Sequence, residues 1–540
     1  MKLKTILRLI ALTLVINLGY LVFNNEYEKS ETSIYKNYEF SKFHNSSRIQ
    51  HLADSWTVLA TTHTTFLAHI FKKQLEKYGF KVNLIFSPPR AFNNDMYLVI
   101  SPNKLNKFPS PRKFIPYQVE QSISVRWFTD KYIHILSNSF ALLDYSQVNI
   151  HNLNTKYQIE FPHVSYVPIG GSLSFLFDLN INKSKPKLYD IIFYGGIPSV
   201  KKNPRRTYFI NALKKKYQSV KIVTKLFGPE LLELIFQAKV VVNIHYYENA
   251  LLEVARIQEC LSLGVPVVSE DSQDRYDYPE LTGSVRFFKP GSITSMFQEI
   301  DHILIPSNYP SESSINESVS AGESKFSYYF QRFLFSKYFV NTPPDLGLKN
   351  NYIIITFPEL LKFQSQNYML FEPYSVIDIQ SRGGNNLSCA ITFSLIASKL
   401  LEQGYQNSTI FEDSLYFSET HRSNLALIYE HLAVLGNQWD VFTGIFPRLN
   451  SANHVLNISY HKGITFVIVN STFDTSFNIY NKKILEYYAS YNYLFKENYL
   501  STEIILSKSR SFNLIFTIPP LFDNDNAVSK NSSKSKNYCL

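Results

Sequence analysis

The stretch that most constrains the fold of this chain is residues 239–270, KVVVNIHYYENALLEVARIQECLSLGVPVVSE. Residues 240–244 and 265–269 are short β-branched runs, which are typical of strands buried on both faces of a parallel sheet. The segment between them has helical periodicity and ends at Gly264, a residue that adopts positive φ at little cost. A strand, a helix and a second strand in this order predict one unit of an open α/β sheet.

The predicted helix carries its charges on one side. At about 100° per residue, Glu253, Arg256 and Glu259 fall within one arc, and apolar residues occupy the opposite side. Ligands of open α/β sheets bind beyond the carboxyl ends of the strands, which places residues 245–249 at a crevice with the helix start behind them. Helix N-termini favour anions, so a diphosphate would fit there. The alternative is an ordinary helix whose solvent face is paired by salt bridges.

The segment ECLSLGVPVVSE resembles the C-terminal half of GT-B glycosyltransferases, in which a Glu precedes a small-residue, Gly, x, Pro, Val, Val stretch. The resemblance implies that Glu259 bonds the ribose hydroxyls of a nucleotide-sugar donor. The second Glu of that family, eight residues earlier, corresponds to Leu251 here, so Glu253 or Glu248 is the candidate for the sugar-contacting role. Glu253 and His245 are the candidate catalytic residues, and the candidate donor-binding residues on and before the helix are Glu248, Arg256 and Glu259.

A second strand end with glycines lies upstream. Residues 189–196, YDIIFYGG, indicate an apolar strand that ends in two glycines and is followed by basic residues. Backbone N–H groups in a glycine turn and basic side chains at a helix start together bind pyrophosphate. The predicted pyrophosphate-binding residues are therefore Gly195, Gly196, Arg205 and Arg206. A tight turn flanked by solvated basic residues is the alternative.

Residues 53–170 predict a further α/β unit. The stretches PYQVEQSISVRWFTDKYIHIL and HVSYVPIG also resemble the N-terminal half of bacterial glycosyltransferases of this group. Gln118, Glu120 and Gln121 follow a predicted strand and are candidates for an acceptor-side edge, although polar residues after a strand are more often loop surface. We therefore expect two facing Rossmann-like lobes, at about 50–175 and 185–305, in one GT-B-like domain of residues 50–305.

Residues 306–325, PSNYPSESSINESVSAGESK, are poor in apolar residues, which predicts a linker. A second enzymatic unit is predicted at 326–522. In it, GGNNLSCAITFSLIASKLLEQGYQNSTIFEDSLYF indicates a turn, a helix and a strand that ends in Glu412 and Asp413. Acidic residues at a strand end suit a divalent cation that bridges a diphosphate.

This second unit resembles the lipopolysaccharide-type, family 25 glycosyltransferases of GT-A fold. The resemblance implies a role for Glu412 and Asp413 and a Mn²⁺ or Mg²⁺ ion at Asp413, whereas no cofactor is expected in the GT-B-like domain. A degenerate unit, retained for folding or for acceptor binding, is the alternative.

The amino terminus bears on location. Basic residues precede an apolar run at 9–23, which predicts an uncleaved signal anchor over residues 1–28 with the basic side cytoplasmic. The protein would then be a single-pass membrane protein with its bulk on the non-cytoplasmic side. A cleaved signal peptide, which would give a secreted form, is the rival. Residues 523–540 predict a disordered tail.

The net charge of +10 is spread over several short basic segments rather than one helix. Such lysines are usually solvated surface, although they also favour anionic lipid headgroups and phosphate-bearing donors. No pattern of a nucleic-acid module is present in the sequence. The predicted fold is α/β, with two Rossmann-like lobes, a GT-A-like domain and an N-terminal transmembrane helix.

The predicted function is a membrane-anchored glycosyltransferase, bifunctional if both units are active, that moves a sugar from a nucleotide-sugar donor to a glycan or lipid-linked acceptor, as in lipopolysaccharide biosynthesis. The predicted partners are the donor, the acceptor and a membrane bound through the N-terminal helix, and no nucleic acid. The alternative is a non-catalytic carbohydrate-binding or scaffold protein with degenerate transferase domains.

Overall fold

The computed structural model describes residues 53–124, 126–159, 163–179, 181, 185–197, 204–356, 374–380, 385–413, 415, 417–445, 447, 454–470, 477–490 and 512–522. The predicted signal anchor at 1–28 and the predicted tail at 523–540 lie outside these residues. Within the described residues, no helix combines the length and the apolar character needed to cross a membrane.

The first unit is a six-stranded, wholly parallel sheet in the order β2-β1-β3-β4-β5-β6. Its central strands are buried on both faces, as their β-branched and aromatic side chains predict. The strands are β1 Ser55–Leu59, β2 Lys81–Ile85, β3 Met96–Ile100, β4 Phe114–Gln118, β5 Leu142–Asp144 and β6 Val164–Tyr166. The helices are α1 Thr65–Lys77, α2 Asp130–Ser137, α3 Gln147–Tyr157 and α4 Phe175–Asp178.

The second unit is a five-stranded parallel sheet in the order β11-β10-β9-β7-β8. Its strands are β7 Tyr189–Tyr194, β8 Val220–Val223, β9 Ala238–Asn243, β10 Val267–Glu270 and β11 Val285–Phe288, and its helices are α5 Pro204–Lys216, α6 Pro229–Phe236, α7 Val254–Ser262 and α8 Ile293–Leu304. The predicted strand, helix and strand of residues 239–270 are confirmed as β9, α7 and β10. The predicted α/β class with two parallel sheets is therefore confirmed.

The segment predicted as a linker is helical instead. Residues 306–308 form a short 3₁₀ turn, and α9 spans Glu312–Ser336 after an N-cap at Ser311, whose hydroxyl accepts from the N–H of Ser314. The buried residues of α9 recur every three or four positions, at Ile315, Val319, Gly322, Phe326, Phe330 and Phe333. The expectation of a linker rested on mean composition, which hides this apolar stripe.

Helix α9 joins all three units of the chain. Its Phe326 and Phe330 rings lie 5.0 and 5.1 Å from the ring of Phe71 in α1. Its Ser318 hydroxyl lies 2.9 Å from that of Ser284, next to β11. Farther along, Arg332 Nε donates to the carbonyl of Ile379 at 2.9 Å. The second enzymatic unit predicted from residue 326 therefore shares this helix with the first two units.

The third unit is a mixed eight-stranded sheet in the order β13-β12-β14-β18-β15-β19-β17-β16. The strands are β12 Tyr352–Thr356, β13 Ser375–Asp378, β14 Asn407–Glu412, β15 Val441–Thr443, β16 Val455–His461, β17 Ile464–Asn470, β18 Phe477–Asn481 and β19 Asn513–Ile518. The helices are α10 Asn385–Glu402, α11 Glu419–Leu435 and α12 Lys482–Ala489. Separate apolar clusters fill its two faces.

The packing of α9 makes a glycine necessary at residue 170. A Cβ on Gly170 would overlap Phe326 Cβ and the backbone of Gly322, which have no room to move away. We expect Gly170→Ala to lower the free energy of unfolding by about 1–3 kcal/mol, because overpacking forces the helix off the lobe. Chemical denaturation measures it, with Gly196→Ala as control, since a Cβ there meets no atom within 4 Å. Equal denaturation midpoints for the two variants would contradict this packing.

Candidate functional site

The carboxyl ends of β7, β9 and β10 lie side by side and form the edge at which the predicted donor site residues meet. Gly195 and Gly196 follow β7, Arg205 and Arg206 lie in the first turn of α5, and the charged arc of α7 begins at Glu253, its N-cap. A Cβ built on Gly195 would lie 3.2 Å from an Nη atom of Arg256 and 3.4 Å from one of Arg206. The structure therefore brings the predicted glycine turn and the charged arc together.

Arg206 is buried at this edge and donates hydrogen bonds to the segments around it. The residue is 2% exposed. Its guanidinium donates to the carbonyls of Ile244 at 2.9 Å and Gly196 at 3.2 Å, and to Glu253 Oε1 at 3.0 Å. Burial lowers the pKa of Arg206 to about 10, while Glu253 opposes that shift. A residue predicted to bind pyrophosphate thus ties three backbone segments to one another.

Arg205 is likewise engaged by protein groups. It donates to Glu270 through both terminal nitrogens, with Nη1–Oε2 at 2.9 Å, and to the carbonyl of His245 at 2.9 Å. Glu270 is fully buried, and its carboxylate also accepts from the N–H groups of His245 at 3.0 Å and Gly291 at 2.7 Å. Glu270 was not among the predicted site residues. The sequence feature that could have identified it is a carboxylate at the end of a buried strand.

Arg256 is the cation of this edge that faces the glycine turn. Its Nη1 lies 2.5 Å from Glu253 Oε2 and donates to Asn243 Oδ1 at 2.5 Å. Its Nε is buried and has no hydrogen-bond partner among the described residues. Burial alone would raise the pKa of Glu253, but Arg256 and Arg206 together hold it below its usual value. Glu253 is therefore an ionised, doubly paired carboxylate, which suits a positioning role.

Glu259 lies about two turns along α7 from Glu253, where Tyr194 donates its hydroxyl to Glu259 Oε2 at 2.8 Å. Burial raises the pKa of Glu259 from its usual 4.5 to about 7, against the opposing effects of Tyr194 and Arg256. Near neutral pH the group is thus close to its titration midpoint.

This raised pKa predicts a pH-dependent stability. The protonated form suits burial, so the contribution is fully present below about pH 4.5 and is lost as pH rises through about 7. We expect Glu259→Gln to remove up to about 3 kcal/mol of this loss, since one pKa unit corresponds to about 1.4 kcal/mol. Denaturant titrations of both proteins at about pH 4 and about pH 8 measure it. Parallel pH profiles would contradict the burial of this carboxyl.

His245 and Glu248 lie in the loop after β9, in different surroundings. His245 is 2% exposed, and burial lowers its pKa, so its imidazole is neutral. Its Nε2 has no hydrogen-bond partner among the described residues. Glu248 is exposed. A cleft of about 230 Å³ adjoins this loop and is lined by Arg205, His245, Tyr247, Asn249, Ala250, Glu270, Asp271, Ser272, Gln273 and Pro290.

Of the candidate acceptor residues, Gln118 ends β4 and Glu120 and Gln121 follow it, and Gln121 contacts the second unit. The Gln121 side chain makes two hydrogen bonds with the backbone of Leu251, at 2.9 and 3.0 Å, two residues before the N-cap of α7. Glu120 is partly buried and accepts from Asn103 Nδ2 at 2.8 Å. Gln118 is fully buried and donates to Asp144 Oδ2 at 2.8 Å. Gln118 is thus part of the interior and, among the described residues, Glu120 bonds only groups of the first unit, whereas Gln121 lies at the junction of the two units.

Asp144, at the end of β5, is a buried group that sequence reasoning missed. Burial raises its pKa to about 8, although Ser146 N, Asn149 and Gln118 donate hydrogen bonds to it. A short strand, LLD, gave no sequence signal of this network.

The predicted site of the third unit has a different environment. Glu412 and Asp413 are 2% and 4% exposed, and Thr356 donates its hydroxyl to Asp413 Oδ2 at 2.5 Å. Within the described part of the chain, no group of three or more His, Cys, Asp or Glu side chains is placed to hold a metal ion. Residues 357–373, directly after β12, lie outside that part. The described side chains do not by themselves fit a metal ion at Asp413.

No known family model matches the chain, and no curated protein matches it. Solved structures match about half of the chain. Sucrose-phosphate synthase from Thermosynechococcus elongatus is 10% identical, with 53% of this chain and 97% of that one covered at a TM-score of 0.31. The Anabaena protein HepE, in complex with UDP and glucose, is 11% identical over 50% and 95%, at 0.33. The UDP-GlcNAc 2-epimerase of Methanocaldococcus jannaschii is 11% identical over 50% and 97%, at 0.32. TM-scores in this range carry no argument about function.

Proposed function

We propose that the chain is a glycosyltransferase and that the diphosphate of a nucleotide-sugar donor binds at the carboxyl ends of β7, β9 and β10. The observation that carries the proposal is Arg256: a partly exposed guanidinium, fixed by Glu253 and Asn243, whose Nη atom faces the Cα of Gly195. A side-chain-free turn beside a fixed cation lets a phosphate approach both the backbone and the guanidinium. The motif around Glu259, which resembles that of GT-B enzymes, supports the same assignment.

Sugar transfer requires that the departing nucleoside diphosphate be stabilised. When an acceptor hydroxyl attacks C1 of the donor sugar, a new C1–O bond forms and the bond from C1 to the diphosphate oxygen breaks. The nucleoside diphosphate leaves with that electron pair, and the hydroxyl proton passes to solvent. Arg256 is positioned before the reaction and would neutralise the developing charge without reorganisation. Arg205 and Arg206 would act indirectly, since Arg205 positions the loop after β9 and Arg206 positions Glu253 and Gly196.

The charge balance of the edge supports an anionic ligand. Arg205 is paired with Glu270, and Arg206 and Arg256 share the single carboxylate of Glu253. The acid within α7, Glu259, is held close to half protonated near neutral pH because its pKa is about 7. The three arginines therefore leave positive charge beside Gly195, which a diphosphate would compensate.

The finer parts of the proposal concern anchoring, the acceptor and the third unit. We infer a single membrane anchor at residues 1–28 from the apolar run and its basic flank. We also infer a glycan or lipid-linked acceptor of the lipopolysaccharide type and a GT-A-like third unit that depends on Mn²⁺ or Mg²⁺.

One observation favours the alternative of a non-catalytic carbohydrate-binding protein. Arg205 and Arg206 donate hydrogen bonds to protein oxygens, and Arg256 does so through Nη1, as expected if internal pairs had replaced a phosphate ligand. The two functions differ in one measurable respect, since a glycan binder has no need of a nucleotide diphosphate.

Isothermal calorimetry of the whole protein against UDP-, GDP-, ADP- and dTDP-linked sugars, with and without Mn²⁺, tests the proposal. We expect one donor to bind saturably and Glu259→Ala to weaken that donor about 10–100-fold, the value of one or two hydrogen bonds to a charged group. The matched control is Glu299→Ala, which removes a partly exposed carboxylate of α8 that pairs with Arg286 on the outer strand β11. Absence of binding by every donor would favour the carbohydrate-binding alternative.

A further inference from the structure

Two basic side chains of the first unit converge on one indole ring. Lys104 closes the 3₁₀ turn Pro102–Lys104 after β3, and its Nζ lies 3.5 Å from the ring centroid of Trp127. The guanidinium carbon of Arg126, in the loop after β4, lies 4.5 Å from the same ring. Cations are attracted to an indole face within about 6 Å. The indole therefore fixes the positions of both charges.

The two charges are only partly compensated. The nearest carboxylate to Lys104 is Glu120, at 3.8 Å between Nζ and Oε1. Burial and the nearby Arg126 lower the pKa of Lys104, against the effect of Glu120. Arg126 is exposed and is not salt-bridged to any described residue. Two cations held beside one carboxylate repel each other, and a bound anion would relieve that repulsion.

This pair lies beside the proposed donor edge. The Arg126 guanidinium carbon is 5.9 Å from the ring of Tyr246, and that of Arg206 is 5.2 Å from the same ring. The neighbouring Gln121 bonds the backbone of Leu251. Lys104 and Arg126 thus belong to the first unit, and Arg126 faces the loop between β9 and α7 of the second.

We propose that Lys104 and Arg126 form an anion subsite for the acceptor, and that the acceptor is a saccharide with a phosphate or carboxylate near its receiving hydroxyl. The role as acceptor rests on the proposed function; the anion subsite itself does not. The subsite would hold the acceptor on the first unit while the donor lies on the second.

The test distinguishes acceptor binding from donor binding with variants of each subsite. Binding of glucose 1-phosphate, glucuronic acid, methyl glucoside and inorganic phosphate to the whole protein is measured by saturation-transfer NMR, and the calorimetric donor titration is repeated on each variant. We expect both acidic sugars to bind, methyl glucoside to bind at least tenfold more weakly, and Arg126→Ala or Lys104→Ala to weaken the acidic sugars at least tenfold. Lys107→Ala is the matched control, since Lys107 bonds the carbonyls of Pro89 and Arg90 instead.

The outcomes are distinct. Loss of donor binding in Arg256→Ala together with loss of acidic-sugar binding in Arg126→Ala, each with the other ligand retained, would support two separate subsites. Binding of glucose 1-phosphate alone would assign the subsite to phosphate, and binding of glucuronic acid alone to carboxylate. Equal binding of methyl glucoside, an unaltered Arg126→Ala, or phosphate that binds as tightly as the sugars would overturn the proposal. Absence of donor binding alone would count against the proposed function and leave the anion subsite standing.

Discussion

Arg256→Ala is expected to weaken binding of the nucleotide-sugar donor about 100-fold or more and to reduce sugar transfer at least as strongly. The substitution removes a cation that faces Gly195, and among the described residues it leaves Arg206 as the one salt-bridge partner of Glu253. Hydrogen bonds to charged groups contribute about 1.5–3 kcal/mol each, and the remaining carboxylate would repel the diphosphate. Calorimetry of donor binding and a radiolabelled transfer assay measure the two effects.

Two further variants serve as comparisons for Arg256→Ala. Arg256→Lys keeps the charge but not the planar donors, so we expect it to recover only part of the binding. Arg286→Ala removes an exposed arginine whose Nε lies 2.8 Å from Glu299, and it should leave donor binding unchanged. Donor binding by Arg256→Ala at wild-type strength would show that the diphosphate does not lie at the end of β7.

Glu270→Gln is expected to lower the free energy of unfolding by about 3–5 kcal/mol. Breaking a buried ion pair by neutralising one partner leaves the other charge buried and uncompensated, which is the costly case. Here Arg205 would keep its burial while losing its carboxylate, and the N–H groups of His245 and Gly291 would lose a charged acceptor. The variant should therefore unfold at clearly lower denaturant concentration.

The control for this loss is Glu299→Gln, which breaks a partly exposed pair between α8 and β11 and should cost no more than about 1 kcal/mol. Denaturation is followed by fluorescence, with circular dichroism as a second probe, because a chain with three sheets need not unfold in one step. Equal losses for the two variants would mean that Glu270 contributes no more than a surface pair does.

The parts of the fold that sequence alone predicts are those dictated by local patterns. Residues 240–244 and 265–269 are buried, β-branched runs, and they are strands β9 and β10 within about two residues. Gly264 has φ +72 and ends the turn after α7, as a residue with no Cβ does cheaply. Helix α9 was missed because its apolar stripe is diluted by Ser, Glu and Asn on the other side.

The candidate site, too, could be predicted from the sequence only in part. The sequence placed Glu253, Arg256 and Glu259 on one arc, and the structure has them on one side of α7, facing β7 and β9. It did not reveal that Arg205 pairs with Glu270, because 65 residues separate them and either could have paired elsewhere. Local periodicity identifies which face of a helix is polar; only the tertiary fold decides whether a charge there serves a ligand or the protein itself.

Helix α9 sets the limits for dissecting this protein. Phe326, Phe330 and Phe333 belong to the same apolar cluster as Phe71 and Val241, so a fragment that stops before residue 312 would expose that cluster to water. Such a fragment is expected to precipitate on expression. A fragment extended to Val340 would retain the α9 side chains that cover this cluster. Residue 326, at which sequence composition changes, would be the wrong place to cut.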